Sequence, residues 1–334
     1  MRGERHAVVA GVGSALPARV IPNEWFASFV ETSDEWIRER TGIRERRFAE
    51  DGQNTSDLAT EAAQRALESA GLPAEQVDLV LVATLTPDTP IPATAVRVQR
   101  KLGLSCPAFD LNAACAGFSY AMAAARAFIA SGAAETVLVV GAEILSRVLD
   151  LTDRTTCVLF GDGAGAAVLV PADEPGVIGS VLGADGGAAE LLVIPGGGSA
   201  RPASPETVAA REHAIRMASG REVFKRAVVE MANACRELLE KSGYGPQDVD
   251  LLIPHQANAR IMTAVAQRLG IDEERAVVDV AEVGNTSAAS IPIALDRAWR
   301  AGRIAPGDLV LLTSFGAGLA WGANLIRWTM PGPS

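Results

Sequence analysis

Three polar residues, each in a turn marked by glycine, proline or small residues, have the types needed for nucleophilic acyl chemistry. Cys115 stands in the small-residue run 112–118, which opens a long apolar helical pattern, while His255 follows Pro254 and Asn285 lies much farther along the chain. A cysteine nucleophile with a separate histidine and asparagine is typical of acyl-transferring enzymes. The sequence therefore predicts an acyl-transfer site, provided that the fold brings these distant turns together.

Cys115 is the cysteine whose surroundings favour reactivity. The pattern predicts a helix over about residues 116–130, and a helix N-terminus lowers the pKa of a thiol through its unpaired N–H groups. We therefore expect Cys115 to be a nucleophile with a lowered pKa. Cys106, Cys157 and Cys235 lack such surroundings, and we expect them to be small apolar core residues.

The residues alone leave two roles open for His255 and Asn285. In a papain-like arrangement the asparagine would orient the histidine. Alternatively, both side chains could donate hydrogen bonds to a thioester oxygen that becomes negative, which suits an enolate formed by decarboxylation. The glycine-rich run 316–322 follows a strongly apolar strand pattern and could present backbone N–H groups to the same reacting carbonyl.

Composition excludes several classes of protein. The formal net charge of -10 over 334 residues argues against a general affinity for nucleic acid or for anionic membranes. The most apolar long stretch, 113–130, contains Arg126 and is not expected to span a membrane. The cysteines show no CxxC spacing, and none of the three histidines lies in a ligand-spaced cluster with cysteines or carboxylates. We therefore expect reduced thiols, a cytoplasmic location and no metal site.

The elements that must position these residues occur twice along the chain. Gly71 and Gly243 each follow a helical pattern and precede a short loop and a buried strand, at an offset of 172 (243 − 71). Arg126 and Arg297 begin a second matching pair of segments at an offset of 171 (297 − 126). Subtracting 171 from 285 gives 114, so we expect Asn285 and Cys115 to occupy matching turn-to-helix positions.

The repeat predicts a duplicated α/β fold. Runs such as 79–83 and 137–140 lack polar alternation, which is typical of central strands covered on both faces. Helical patterns alternate with these strands, and this alternation predicts stacked α/β/α/β/α layers. The proline- and acid-rich turn 171–175 divides the chain, so we expect two similar halves, 1–172 with the cysteine and 173–334 with the histidine and asparagine, packed about a pseudo-twofold axis.

These motifs together resemble the β-ketoacyl-acyl-carrier-protein synthase III (3-oxoacyl-ACP synthase III) family, whose members start type II fatty acid synthesis. The resemblance covers essentially the whole chain, and it is carried by segments 32–44, 113–118, 160–167, 254–258, 284–290 and 316–322. It implies a thiolase fold, a homodimer, and the two substrates acyl-CoA and malonyl-acyl-carrier protein. It also implies that neither a metal nor a redox cofactor is needed.

The resemblance also implies a mechanism. Cys115 would take an acyl group from acyl-CoA, usually acetyl-CoA. Malonyl-acyl-carrier protein would then lose CO2 while His255 and Asn285 stabilise the enolate, and the enolate would attack the acyl-cysteine. The backbone N–H groups of Cys115 and Ala317 would form the oxyanion hole.

Substrate-binding residues are implied in the same way. Trp36 and Arg154 match residues that hold the CoA adenine between a ring and a guanidinium, and Arg40 matches a contact to a CoA phosphate. Phe224 matches the pantetheine channel. Ile91 matches the cap of the acyl pocket, where some relatives have an aromatic ring, and an aliphatic side chain there would admit longer or branched starters.

A basic patch on this acidic chain is implied as the docking surface for the acidic carrier protein, and it consists of Lys225, Arg260 and Arg268.

Other functions remain as alternatives. The nearest is a starter-unit priming synthase or an acyltransferase of polyketide assembly that uses the same three residues. A cysteine hydrolase would gain nothing from a duplicated fold, and a carrier-binding scaffold would not need an intact Cys115. A nicotinamide-dependent oxidoreductase is disfavoured, because the chain lacks the complete GxGxxG fingerprint that such an enzyme would need.

Overall fold

The structure is a computed structural model that describes residues 5–333, in which strands and helices alternate. The strands are β1 His6–Ala15, β2 Arg19–Pro22, β3 Glu45–Phe48, β4 Leu79–Ala83, β5 Ala108–Leu111, β6 Val137–Glu143, β7 Gly163–Ala172, β8 Val177–Ala184, β9 Leu192–Val193, β10 Arg216–Met217, β11 Leu251–Pro254, β12 Leu309–Gly316 and β13 Ala320–Arg327. The helices are α1 Asp34–Thr41, α2 Thr55–Ala70, α3 Thr94–Lys101, α4 Gly117–Ser131, α5 Pro205–Ala209, α6 Gly220–Ser242, α7 Ala259–Leu269, α8 Val280–Val283 and α9 Ser290–Arg300. In the part of the chain that is described, no helix combines the length and the apolar character needed to cross a bilayer.

The two main sheets follow the same plan. The first has the order β1-β7-β6-β4-β5, in which β7 pairs antiparallel with both neighbours while β4 pairs parallel with β6 and β5. The second has the order β8-β13-β12-β11, with β13 antiparallel to both neighbours and β11 parallel to β12. A single parallel bridge between Leu252 and Ala276 occupies the place of β5. The pairing pattern confirms the duplication that the sequence predicts.

The sheets and helices stack in α/β/α/β/α layers. The first sheet is covered on its outer face by α2 and α3, and the second by α6 and α7. The central layer contains α4 and α9, which contact strands of both sheets. Along β4, Val80 and Val82 face the outer helices whereas Leu79 and Leu81 face the central layer. Both faces of the strand are therefore apolar, which explains its lack of polar alternation.

The central helices match at an offset of 173 (287 − 114) rather than 171. A 3-10 turn, Ala114–Ala116, precedes α4, and the 3-10 turn Ser287–Ala289 precedes α9. Both turns begin with a positive φ, 46° at Ala114 and 51° at Ser287. The predicted match of Asn285 to a position beside Cys115 is therefore wrong, since Asn285 corresponds to Asn112 (285 − 173). The sequence offset was read near the helix ends, and α9 has 11 residues whereas α4 has 15.

Candidate active site

Cys115, His255 and Asn285 all line one cavity of about 480 Å³, and all three are buried. Cys115 also lines a second cavity of about 920 Å³, whose other walls are largely apolar and include Ala317. The thiol therefore lies where two cavities meet. The fold brings together the three turns that the sequence analysis selected.

Cys115 is held in place by close backbone packing. It lies in the 3-10 turn that precedes α4, so the N-terminus of this helix is adjacent as predicted. Gly316, at the end of β12, passes directly against it: a Cβ atom on Gly316 would lie 2.6 Å from the backbone nitrogen of Cys115 and 2.9 Å from its Cβ. Only glycine allows the strand to approach the nucleophile so closely.

The prediction of a lowered Cys115 pKa is wrong for the resting protein. Burial raises the pKa of this thiol to about 12, and the neighbouring Ser287 hydroxyl only partly opposes that effect. Desolvation penalises the charged thiolate, and it outweighs the adjacent helix N-terminus. Cys115 is therefore a neutral thiol until a substrate enters.

His255 is also neutral. It directly follows β11, and its backbone N–H donates to the Thr313 carbonyl at 2.7 Å. Burial lowers the pKa of its imidazole to about 3. Such a weak base does not form an ion pair with a thiol of much higher pKa, so the arrangement differs from a papain-like pair. A neutral imidazole still offers one N–H donor.

Asn285 is fixed through its backbone and its side-chain oxygen. Its N–H donates to the Leu159 carbonyl at 2.9 Å, and its carbonyl accepts from the Gly161 N–H at 3.0 Å. Its Oδ1 accepts from the Ser287 N–H at 2.9 Å. Because Oδ1 is engaged in this way, the Nδ2 group remains available as a donor to the cavity.

Arg46 supports the Asn285 loop and was missed by the sequence analysis. Its side chain is fully buried, with Nη2 donating to the Val158 carbonyl at 2.6 Å and Nη1 donating to Asn23 Oδ1 at 2.8 Å. A Cβ on Gly284, where φ is 66°, would lie 3.0 Å from the Arg46 Cβ. Arg46 therefore packs beneath the turn that carries Asn285. The sequence offers only an arginine in a short strand, which gives no signal of this role.

Glu143 is a second buried charged residue that the sequence analysis missed. It ends β6 and accepts hydrogen bonds from Thr84 Oγ1 at 3.1 Å, from the Leu85 N–H at 3.2 Å and from the Thr86 N–H at 3.1 Å. Burial raises the pKa of this carboxyl to about 7. Leu85 lines the larger cavity, so Glu143 fixes part of its wall. The available signal was a lone acidic residue closing an apolar strand.

The predicted CoA residues Trp36, Arg40, Arg154 and Phe224 line the smaller cavity. The guanidinium carbons of Arg40 and Arg154 lie 4.8 Å and 4.7 Å from the centroid of the Trp36 ring. Arg154 thus stacks directly on the Trp36 ring, whereas the sequence analysis predicted an adenine between these two groups. A planar ligand has to displace this guanidinium in order to lie between the two groups.

Two exposed arginines line this cavity, and two further exposed cations lie on the helices α6 and α7. Arg260 lines the cavity and lies 5.8 Å over the Phe224 ring, and Arg221, which was not predicted, also lines it. Lys225 is exposed on α6, and Arg268 is exposed on α7 about 12 Å from Arg260 along the helix. Among residues 5–333 none of these cations forms a salt bridge. Unpaired cations on an acidic protein are available to an anionic partner.

Ala317 and Ile91 differ in their relation to the site. Ala317 follows β12 and lines the larger cavity with Cys115, and it is not among the described residues with a positive φ. Ile91 is 85% exposed and lines neither of the two cavities. Within one chain, the structure does not bring Ile91 to the site.

Comparisons with known proteins agree over almost the whole chain. Family models described as 3-oxoacyl-[acyl-carrier-protein (ACP)] synthase III and as the C terminal of the same enzyme match residues 109–186 and 239–328. The chain is similar to the β-ketoacyl-[acyl-carrier-protein] synthase III of Caldanaerobacter subterraneus subsp. tengcongensis, with 50% identity over 97% of this chain and 98% of the relative.

Two solved structures share the fold. The 3-oxoacyl-[acyl-carrier-protein] synthase III from Aquifex aeolicus VF5 has a TM-score of 0.89 and 46% identity, and the match covers 96% of this chain and 100% of that one. The priming β-ketosynthase from the R1128 polyketide biosynthetic pathway has a TM-score of 0.92 and 38% identity, and the match covers 99% of this chain and 98% of that one.

The raised pKa of Cys115 predicts a particular pH dependence. Alkylation of this residue by iodoacetamide should accelerate about tenfold per pH unit between about pH 7 and about pH 9, because the thiolate fraction rises tenfold per unit below the pKa. Peptide mass mapping of wild type, with Cys115→Ala as the control for the other thiols, measures the rate. A rate that levels off near pH 7 would show that the helix N-terminus outweighs burial.

Proposed function

The chain belongs to the 3-oxoacyl-[acyl-carrier-protein] synthase III family, and from this premise we propose that it condenses an acyl-CoA starter, acetyl-CoA in the first instance, with malonyl-acyl-carrier protein. The products are 3-oxoacyl-carrier protein, CoA and CO2, and the reaction initiates type II fatty acid synthesis. The observation that carries the proposal is the cavity that Cys115, His255 and Asn285 line together.

The first half-reaction is acyl transfer to Cys115. Its sulfur forms a bond to the thioester carbonyl carbon, the bond from that carbon to the CoA sulfur breaks, and the thiol proton passes to the leaving CoA thiolate. The backbone N–H groups of Cys115 and Ala317 stabilise the tetrahedral oxyanion in this proposal. The apolar cavity beyond Cys115 receives the acyl chain, and the cation-lined cavity receives CoA.

The second half-reaction forms the carbon–carbon bond. The malonyl thioester loses CO2, and the electron pair of the broken bond becomes an enolate whose oxygen accepts hydrogen bonds from His255 and Asn285. The enolate carbon attacks the acyl-Cys115 carbonyl, and the bond to sulfur breaks. The released thiolate then takes one proton from solvent. Neutral donors suit this step, because they stabilise the negative charge of the enolate by hydrogen bonds without giving up their protons to it.

This chemistry requires neither a metal nor a redox cofactor, because the leaving CO2 supplies the carbanion. The curated relatives with about half of their residues identical carry the name of the fatty acid enzyme, whereas the polyketide priming ketosynthase is 38% identical. The comparisons therefore favour fatty acid initiation over polyketide priming.

A homodimer is part of the proposal. The first sheet ends at β5, which has no further strand beside it in the described chain, and Phe109 on this strand is exposed. Unpaired strand edges invite a second chain, and the exposed Ile91 lies on the loop between β4 and α3 that precedes this edge. Antiparallel pairing of β5 with its copy would cover Phe109 and bring Ile91 under a partner chain.

A cytoplasmic location completes the proposal. All four cysteines are free thiols, which suits a reducing compartment and a catalytic Cys115, and fractionation of the source cells tests it.

The reaction is tested by intact-protein mass after incubation with acyl-CoAs. Wild type should gain one acetyl group from acetyl-CoA, Cys115→Ala should gain none, and malonyl-carrier protein should discharge the acetyl group with release of CO2. A chelator in each reaction should change neither step. Acylation that malonyl-carrier protein cannot discharge would instead indicate a simple acyltransferase, and failure of all acyl-CoAs to label wild type would refute the nucleophile assignment.

The docking patch is tested by charge reversal away from the cavity. Lys225→Glu with Arg268→Glu should raise KM for malonyl-carrier protein about tenfold at low ionic strength and leave kcat and KM for acetyl-CoA unchanged, because neither residue lines the cavity. Lys241→Glu, at the far end of the same helix α6, is the matched control and should leave KM unaltered. Equal effects of the two variants would place the carrier protein elsewhere.

The dimer is tested by sedimentation. Wild type should sediment at twice the chain mass of 34.8 kDa, while Phe109→Asp should sediment as a monomer because it places a charge on the edge strand. Val208→Asp changes another exposed apolar residue, on α5 and away from the edge strand, and should remain dimeric. Monomeric wild type at micromolar concentration would contradict the proposal.

A further inference from the structure

The buried hydroxyl of Ser290 contacts the imidazole of His255. Ser290 Oγ lies 2.6 Å from His255 Nδ1, and both side chains are buried. The backbone N–H of Gln256 donates to the same oxygen at 3.3 Å. Ser290 is the first residue of α9, so its position is set by the central helix rather than by the turn that carries His255.

Counting donors and acceptors fixes the direction of this bond. A serine hydroxyl has one proton, and in a neutral imidazole one nitrogen donates and the other accepts. If His255 Nδ1 carried the proton, the Ser290 proton would need a different acceptor. In the described part of the chain the contacts of Ser290 Oγ are His255 Nδ1 and the Gln256 N–H, and the latter is a donor. A buried hydroxyl proton without an acceptor is costly, so Ser290 donates to Nδ1.

We infer that Ser290 is a positioning residue that holds His255 as the tautomer protonated at Nε2. The ring nitrogen that is not bound to Ser290 then carries the N–H, and it is the one free to donate to a substrate oxygen in the cavity lined by His255. Ser290 itself lines neither cavity, and it acts on the reaction only through the imidazole.

The duplicated fold does not by itself require this hydroxyl. The counterpart of Ser290 in the first half is Gly117 (290 − 173), which also begins a central helix. His255 corresponds to Ala83 (255 − 172), because Leu79 and Leu251 begin the matching strands at that offset. A Cβ on Gly117 would lie 3.0 Å from the Cβ of Ala83. One half therefore has no side chain where the other places a hydroxyl against the histidine. This difference points to a role in the site.

The tautomer can be observed directly. The chain has three histidines, so long-range ¹H–¹⁵N correlation on protein labelled with ¹⁵N-histidine gives few signals, and His255→Ala identifies the signal of interest. Wild type should show His255 protonated at Nε2 with Nδ1 unprotonated. Ser290→Ala should shift His255 toward protonation at Nδ1. A wild-type His255 protonated at Nδ1, or a tautomer unchanged by Ser290→Ala, would overturn the inference.

Kinetics supply the functional arm, which deepens the proposed function and rests on it. Ser290→Ala should slow malonyl decarboxylation and condensation by at least about tenfold, because a donor to the enolate is lost, while acetylation of Cys115 stays within about twofold. Ser290→Thr retains the hydroxyl and should recover part of the rate and the wild-type tautomer.

A matched control removes a comparable hydroxyl from the other central helix. Ser119 on α4 is fully buried, and its hydroxyl is bonded to Ser314 Oγ at 2.7 Å. Ser119→Ala should change neither the tautomer nor the ratio of condensation to acetylation. An equal loss in both variants would show that Ser290 matters only for packing. The NMR experiment observes the His255 tautomer without any reaction. It therefore tests the inference even if the proposed function is wrong.

Discussion

Burial of the reacting groups at the junction of the two halves is the constraint that shapes the rest of the site. It raises the pKa of Cys115 to about 12 and lowers that of His255 to about 3, so neither residue is charged at rest. Burial therefore disfavours a thiolate–imidazolium pair at rest and favours neutral donors. In such surroundings a hydrogen bond to a developing oxyanion or enolate is stronger than in water. In the proposed mechanism, the same burial that makes Cys115 a poor nucleophile before substrate arrives would make His255 and Asn285 effective stabilisers afterwards.

A neutral donor stabilises a substrate oxygen only if its N–H points toward that oxygen. Much of the surrounding polar structure holds the donors in a fixed orientation. Asn285 is held by backbone hydrogen bonds to Leu159 and Gly161, and its Oδ1 is occupied by the Ser287 N–H. Arg46 donates a hydrogen bond to the carbonyl of Val158, which lies next to Leu159 in the chain. Burying these groups without their partners would be costly, so the bond between Asn285 Oδ1 and the Ser287 N–H favours one orientation of the amide. These hydrogen bonds fix the turn that carries Asn285.

The sequence revealed the fold and the three central residues because those signals are local or repeated. A small-residue run before a helical pattern marks Cys115, and recurring helix-stop-strand segments show the duplication. The sign of the Cys115 pKa shift was not predictable, because it depends on how completely distant elements exclude water. The contacts that hold the site residues in place were not predictable either, because their partners are far apart in the sequence. Arg46 and Val158 are 112 residues apart, and His255 and Ser290 are 35 residues apart. Ile91 lies outside both cavities of its own chain, so its predicted place in the acyl pocket would require the proposed second chain.

The duplication also explains how the chemical groups of the site are divided between the two halves. Each half has the same turn before its central helix: Asn112 Oδ1 accepts from the Ala114 N–H at 3.0 Å, and Asn285 Oδ1 accepts from the Ser287 N–H at 2.9 Å. In the first half this turn presents a thiol at Cys115, whereas in the second it presents an amide while the preceding strand presents His255. One backbone plan thus provides the proposed nucleophile on one side of the junction and the proposed hydrogen-bond donors on the other. Because α4 and α9 share the central layer, both turns open toward the same buried space. At these turns the two halves differ in side chains while keeping the same backbone, and this allows a duplicated scaffold to carry out a reaction with two unlike steps.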